Sequence, residues 1–145
     1  MRIGWCLLPL LLWGCGLGFG QSDRISDELC HCVSSLQDSM SDGTMDLLSK
    51  ASYSDSPQQE ITLELNRLGR KEQAKVIDEL TRYGLLQSRN SPARGCINKV
   101  QQQNLFLFAL DQKRYIEGLV DQLERKNCRL AAALLRSNLK MGVYK

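Results

Sequence analysis

Three consecutive residues, Cys30-His31-Cys32, carry the densest chemistry in this chain. Two thiols flanking the only histidine suggest a metal or redox centre. Side-chain direction argues against it. On a helix successive side chains turn by about 100°, so Cys30 and Cys32 point about 200° apart with His31 between them. Such a fan does not converge on one tetrahedral ion, and zinc-binding cysteine pairs are separated by two or more residues. The same divergence prevents His31 from activating either thiol as a general base. A Cys-x-Cys redox pair requires that this stretch not be helical. The expectation is therefore no metal and no cofactor, with His31 facing solvent.

The alternative is a structural role. Cys30 and Cys32 flank the apolar stripe of a helix, so they cannot both face one neighbour, but each can face a different one. Cys96 and Cys128 fall on two different later helices. Two disulfides then staple the first helix on both sides, and two connectivities remain open. Each closes a long loop and contributes about 2–4 kcal/mol if unstrained.

Other constellations are weaker. Asp38, Asp42, Gly43 and Asp46 hint at a calcium loop. Counting from Asp38, however, puts Met40 at position three and Ser49 at position twelve, where the loop needs Asp or Asn and Glu. No hydrolase elbow, Gly-rich phosphate loop or histidine pair occurs, so the usual acid–base centres are missing and no enzyme is expected. Basic residues are dispersed over several helices and aromatics are few, which does not suit nucleic-acid binding.

The N-terminus assigns the compartment. Met1-Arg2 is a short positive start, Ile3 to Trp13 is apolar apart from Gly4 and Pro9, and Gly16, Gly18 and Gly20 precede polar residues from Gln21. This is the layout of a secretory signal peptide, and the apolar run is too short to span a bilayer. Cleavage after Gly20 gives a secreted or periplasmic chain and makes the four remaining cysteines a disulfide set. In the alternative, Leu12-Trp13-Gly14-Cys15 resembles a bacterial lipobox. Cys15 would then be acylated and the protein would be a membrane-anchored lipoprotein, although Trp13 fits that motif poorly.

The expected organisation is a signal peptide over 1–20, one helical bundle domain over 21–138 and a basic tail over 139–145. Without Arg2 the net charge falls from +3 to +2, and it is unevenly spread. From Gln21 to Asn66 two basic residues, Arg24 and Lys50, face nine acidic ones, giving −7. From Arg67 to Lys145 sixteen basic residues face seven acidic ones, giving +9. Either the halves pack together and neutralise each other, or a basic face (Arg125, Lys126, Arg129, Arg136) awaits an anionic surface or protein partner.

The elements that position these residues read as all-α, a small bundle of four to five helices. Ser22-Asp23 can cap a first helix, along which Ile25, Leu29, Cys32, Val33, Leu36 and Met40 form a stripe. Asp42-Gly43 breaks or kinks it before a short segment, Thr44 to Ala51. Ser56-Pro57 opens a helix bearing Ile61, Leu65 and Leu68, which Gly69 ends. Lys71 to Gln87 follows, with Ala74, Ile77, Leu80 and Leu85 or Leu86 inward. Ala93 to Leu110 is another helix. Tyr115, Ile116, Leu119, Leu123, Leu130 and Leu134 form a last stripe to about Ser137, followed by a frayed tail.

These features predict an exported, non-enzymatic helical binding or interaction module acting through a helix face. An alternative is a carrier of lipid or another small apolar ligand, its cavity lined by the Leu105–Phe108 and Leu130–Leu135 runs. Another is a secreted cytokine-like helical signal, although that topology needs two long crossovers that the short connections here do not supply.

Overall fold

The structure is a computed structural model that describes residues 17–86, 88, 90–104 and 112–142. The apolar leader, Cys15, the Leu105–Leu110 run and the last three residues of the tail lie outside the described residues. Among the described residues seven helices occur and no strand. They are α1 (Leu17–Asp38), α2 (Asp42–Tyr53), α3 (Pro57–Arg67), α4 (Arg70–Leu86), α5 (Pro92–Gln103), α6 (Gln112–Arg125) and α7 (Arg129–Lys140). No helix among them is long and apolar enough to cross a membrane.

Helix α1 is the spine. Its 3.6-residue stripe buries Ile25, Leu29 and Val33 and half-buries Cys30, Cys32 and Leu36. Helices α5, α6 and α7 all pack against it. Helix α2 lies on α7, and α3 and α4 cover α2. The core joins Ile25, Leu29 and Val33 to Ile116, Leu119 and Leu123 of α6 and to Leu130, Ala131 and Leu134 of α7. Two turns of the chain follow from proline: Pro57 and Pro92 each occupy the first turn of a helix, where a missing N–H costs nothing. Ser91 completes the second of these by accepting a bond from the Arg94 amide at 3.1 Å.

The helix count exceeds the expected four to five for identifiable reasons. Residues 44–51 are not an appendage of the first helix. Helix α2 forms in its own right from Asp42 and buries Met45, Leu47, Leu48 and Ala51. The stripe read as one helix from Tyr115 to Ser137 is two helices. Asn127 adopts φ 58°, its amide donates to Glu124 O at 3.0 Å, and the Cys128 amide reaches back to Leu123 O at 2.8 Å. This pair of bonds around a left-handed residue closes α6 as a Schellman motif. Gln37 of α1 then clamps the junction. Its Nε2 donates to Asn127 O at 3.1 Å and its Oε1 accepts from the Leu130 amide at 3.0 Å, capping α7, whose own N-cap Cys128 makes no side-chain cap bond. We predict that Asn127→Gly is neutral or stabilising, whereas Asn127→Ala costs about 1–2 kcal/mol, readable by urea denaturation.

Three local expectations also change. Helix α1 is already formed at Leu17, so Ser22-Asp23 lie inside it rather than capping it. The inward face of α4 is Val76, Glu79 and Leu86, with Leu80 and Tyr83 half-buried, while Ala74, Ile77 and Leu85 are exposed. A buried carboxylate on that face disguises it from a hydrophobicity pattern. The last helix continues to Lys140, with Leu139 packed on the core and Lys140 bonded to Tyr53 O and Asp55, so the chain is not frayed from residue 139.

Candidate functional site

The disulfides settle which neighbour each cysteine of α1 faces. Cys30 bonds Cys128 and Cys32 bonds Cys96, each with 5.6 Å between Cα atoms. The first ties α1 to the start of α7 and the second ties α1 to α5. Their divergence on α1 therefore places α5 and α7 on opposite flanks of one helix. His31, between them, is exposed. Among the described residues no group of three His, Cys, Asp or Glu side chains could hold a metal ion.

That arrangement creates a groove. Helix α7 presents Ala131, Leu134, Leu135 and Asn138, a set spaced i, i+3, i+4, i+7 that defines one helix face. Helix α5 presents Arg94, Ile97, Asn98 and Gln101 with the same spacing. Between the two faces lies a cavity of about 350 Å³, which the buried Leu29 of α1, Leu86 of α4 and Met141 also line. Its lining is partly aliphatic and partly amide, from Asn98 and Gln101 on one helix and Asn138 on the other. Arg94 is the one charged residue among the described lining residues. Met141 also borders a second hollow on the far side of α7's C-terminus, where Tyr83, Ser137 and Lys140 contribute.

Sequence reasoning identified part of this lining. The Leu130–Leu135 run supplies Leu134 and Leu135, but Leu105–Phe108 lies outside the described residues. Arg94, Ile97, Asn98, Gln101 and Asn138 were not singled out. The available signal was the polar edge Arg94, Asn98, Gln101 running beside the apolar edge Ala93, Ile97, Val100 on one helix.

The basic residues singled out from sequence are placed differently. Lys126 reaches Asp23 at 2.7 Å and Asp27 at 2.5 Å. These two carboxylates, hydrogen-bonding the ammonium, raise its pKa above 10.5. Arg129 pairs with Asp46. Arg136 is 9% exposed. Its guanidinium stacks 3.6 Å over the Tyr53 ring, pairs with Glu124 and donates to Ser52 Oγ at 2.9 Å. Tyr53 Oη also donates to Glu124, at 2.8 Å. Burial pushes the Glu124 carboxyl up, but the bonds from Tyr53 and Arg136 outweigh it and hold the group below its ordinary value. Arg125 remains exposed on α6. Lys126, Arg129 and Lys140 thus face Asp23, Asp27, Asp46 and Asp55, so the acidic and basic halves of the chain meet. The exposed pairs among them contribute at most about 1 kcal/mol each.

Together the fold and groove define, among the described residues, an all-helical, disulfide-stapled bundle with an amphipathic cleft. No protein-family model matches this chain, and neither a curated protein nor a solved structure is similar to it.

Proposed function

We propose that the protein is an exported, non-enzymatic helical binding module whose binding element is the groove between α5 and α7. The observation that carries this reading is the pair of equally spaced helix faces held apart across a partly aliphatic cavity. A cleft of a few hundred Å³ with an aliphatic lining and a few polar groups at its mouth has the form of a small-molecule site. Among the described residues the lining holds no carboxylate, thiol or histidine. This favours the apolar-ligand reading over the basic face of α6 and α7, because Lys126, Arg129 and Arg136 already have carboxylate partners within the fold. The two disulfides fit an oxidising compartment. A cleaved leader would give a secreted or periplasmic protein, and acylation of Cys15 a membrane-anchored one.

The test uses the uncharged dye Nile red. It is expected to bind the oxidised protein saturably. Filling the cleft from its half-buried rim with Asn138→Trp is expected to weaken binding about tenfold or more while leaving the helical circular-dichroism spectrum intact. Gln101→Trp on the opposite edge should act alike. Equal dye affinity in wild type and both variants contradicts the reading.

A further inference from the structure

Where α3 gives way to α4, three cations fall within five residues, Arg67-Leu68-Gly69-Arg70-Lys71. Arg67, Gly69, Arg70 and Lys71 are exposed and Leu68 is half-buried. Leu68 is extended, with φ −83° and ψ 150°, the backbone form in which a cleft takes up a peptide. Little holds this stretch down. No side chain from Arg67 to Lys75 is buried, and α3 buries none along its length. Local opening here therefore uncovers little apolar area and is among the least costly in the fold. We propose that the Arg70–Lys71 peptide bond is a site of limited proteolysis by an arginine-directed endoprotease, which converts the protein into a two-chain form. A carboxylate in the protease's specificity pocket selects the Arg70 guanidinium, and Arg67 and Lys71 add to the attraction of an acidic cleft. Water is the co-reactant. Its hydroxyl goes to the Arg70 carbonyl carbon as the C–N bond breaks, and its hydrogen goes to the Lys71 nitrogen. The acid proton then passes to that amine, leaving a carboxylate on Arg70 and an ammonium on Lys71.

The fold is built to survive that cut. Cys30 and Cys32 precede it and Cys96 and Cys128 follow it, so both disulfides bridge the two pieces. The ion pairs of Lys126 with Asp23 and Asp27, of Arg129 with Asp46 and of Lys140 with Asp55 bridge them as well. So does the core of α1 with α6 and α7. The other basic stretches are held more firmly. Arg125 to Arg129 also carries three cations, but Lys126 and Arg129 are paired and the Lys126, Asn127 and Cys128 amides bond back into α6. Leu123, Cys128 and Leu130 around it are fully buried. Lys113-Arg114 stands two residues before the fully buried Ile116. None of the residues from Arg67 to Lys71 lines the groove.

The experiment is brief digestion of the oxidised full chain with a small amount of an arginine-specific endoprotease, followed by mass spectrometry and N-terminal sequencing. The first new N-terminus should be Lys71, appearing about tenfold faster than any other. The product should run as one species without reductant, heavier by one water, and as two pieces with reductant. It should keep its helical circular-dichroism spectrum. Arg70→Lys preserves the charge and should remove this cut while leaving the spectrum and the urea midpoint unchanged, since the side chain is exposed. A first cut at another bond, or equal rates at Arg70 and Arg125, overturns the proposal. So does a cut chain whose pieces part without reductant or lose their helical spectrum.

Discussion

Replacing Cys30 and Cys128 together by alanine is expected to remove about 4 kcal/mol or more of stability, enough to abolish cooperative folding of a marginal domain. The bond joins residues 98 apart in sequence. Releasing a loop of about 100 residues costs close to 5 kcal/mol in the chain-entropy account. The second bond, Cys32–Cys96, spans 64 residues, and loop closure varies so slowly with length that the two entropic contributions differ by only a few tenths of a kcal/mol. Packing separates them. Cys128 is fully buried, ends the Schellman turn and sits in the cluster where α1, α6 and α7 meet. Cys96 and Cys32 are half-buried, and α5 itself buries only Val100 among its apolar side chains. The Cys32→Ala/Cys96→Ala variant should therefore stay folded at its core, with α5 loosened. Urea unfolding of the two double variants checks this. Stepwise reduction with alkylation offers a second reading, in which Cys32 and Cys96 are modified before Cys30 and Cys128. Equal destabilisation by the two pairs, or the reverse order of reduction, would show that α5 is as integral to the core as α7.

Glu79 yields the second large effect. Its side chain is only 3% exposed, yet it stays ionised because it serves as the missing cap of α2. Glu79 Oε2 accepts from the Ser41 amide at 3.1 Å and from Ser41 Oγ at 2.7 Å, at the positive end of that helix. Ser41, the N-cap residue, makes no side-chain cap bond of its own. Burial pushes the Glu79 carboxyl up. The Thr44 and Ser41 hydroxyls, the Ser41 amide and the charge of Lys75 together outweigh that and hold it below its ordinary value of 4.5. A carboxylate with a depressed pKa in the folded state stabilises the fold above its unfolded pKa. That contribution is lost as pH falls through the folded value. Stability should thus decline as pH drops below about 4.5, and Glu79→Gln should flatten part of that decline. Glu79→Ala should cost about 2–3 kcal/mol at neutral pH, since it leaves the Ser41 amide and the Thr44 hydroxyl without their buried acceptor. Denaturant midpoints of wild type and both variants across this pH range decide the matter. An unchanged pH profile in Glu79→Gln would assign the acid sensitivity elsewhere.

Much of the fold was legible because local chemistry and tertiary packing agree. The Ile25, Leu29, Val33 stripe, the Ser56-Pro57 start and the divergence of Cys30 from Cys32 each act through one helix and its immediate neighbours. The α6–α7 turn was hidden for a geometric reason. Leu123 and Leu130 are seven residues apart, nearly two helical turns, so the apolar stripe stays in phase across the Schellman turn. Only Asn127, a residue that tolerates the left-handed region, marks the break. The inward face of α4 was misplaced because Glu79, a carboxylate, occupies a core position that hydrophobic periodicity assigns to Ala74 or Ile77. The charge asymmetry showed that the two halves could meet, but not that Lys126 would choose Asp23 and Asp27 or that Arg136 would stack on Tyr53. The groove was the least visible feature. It arises from where Cys32–Cys96 and α4 hold α5 relative to α7, and no single residue type signals the gap between two otherwise ordinary helix faces.

The most direct test of the groove as a binding element is methyl-detected NMR of the oxidised protein during titration with dodecanoate. The account predicts saturable shifts confined to Ile97, Ala131, Leu134, Leu135 and Leu29. The methyls of Val76 and Leu47, which line a separate hollow, should remain unmoved. Absence of saturable shifts, or shifts centred on α2 and α4 instead, would contradict it.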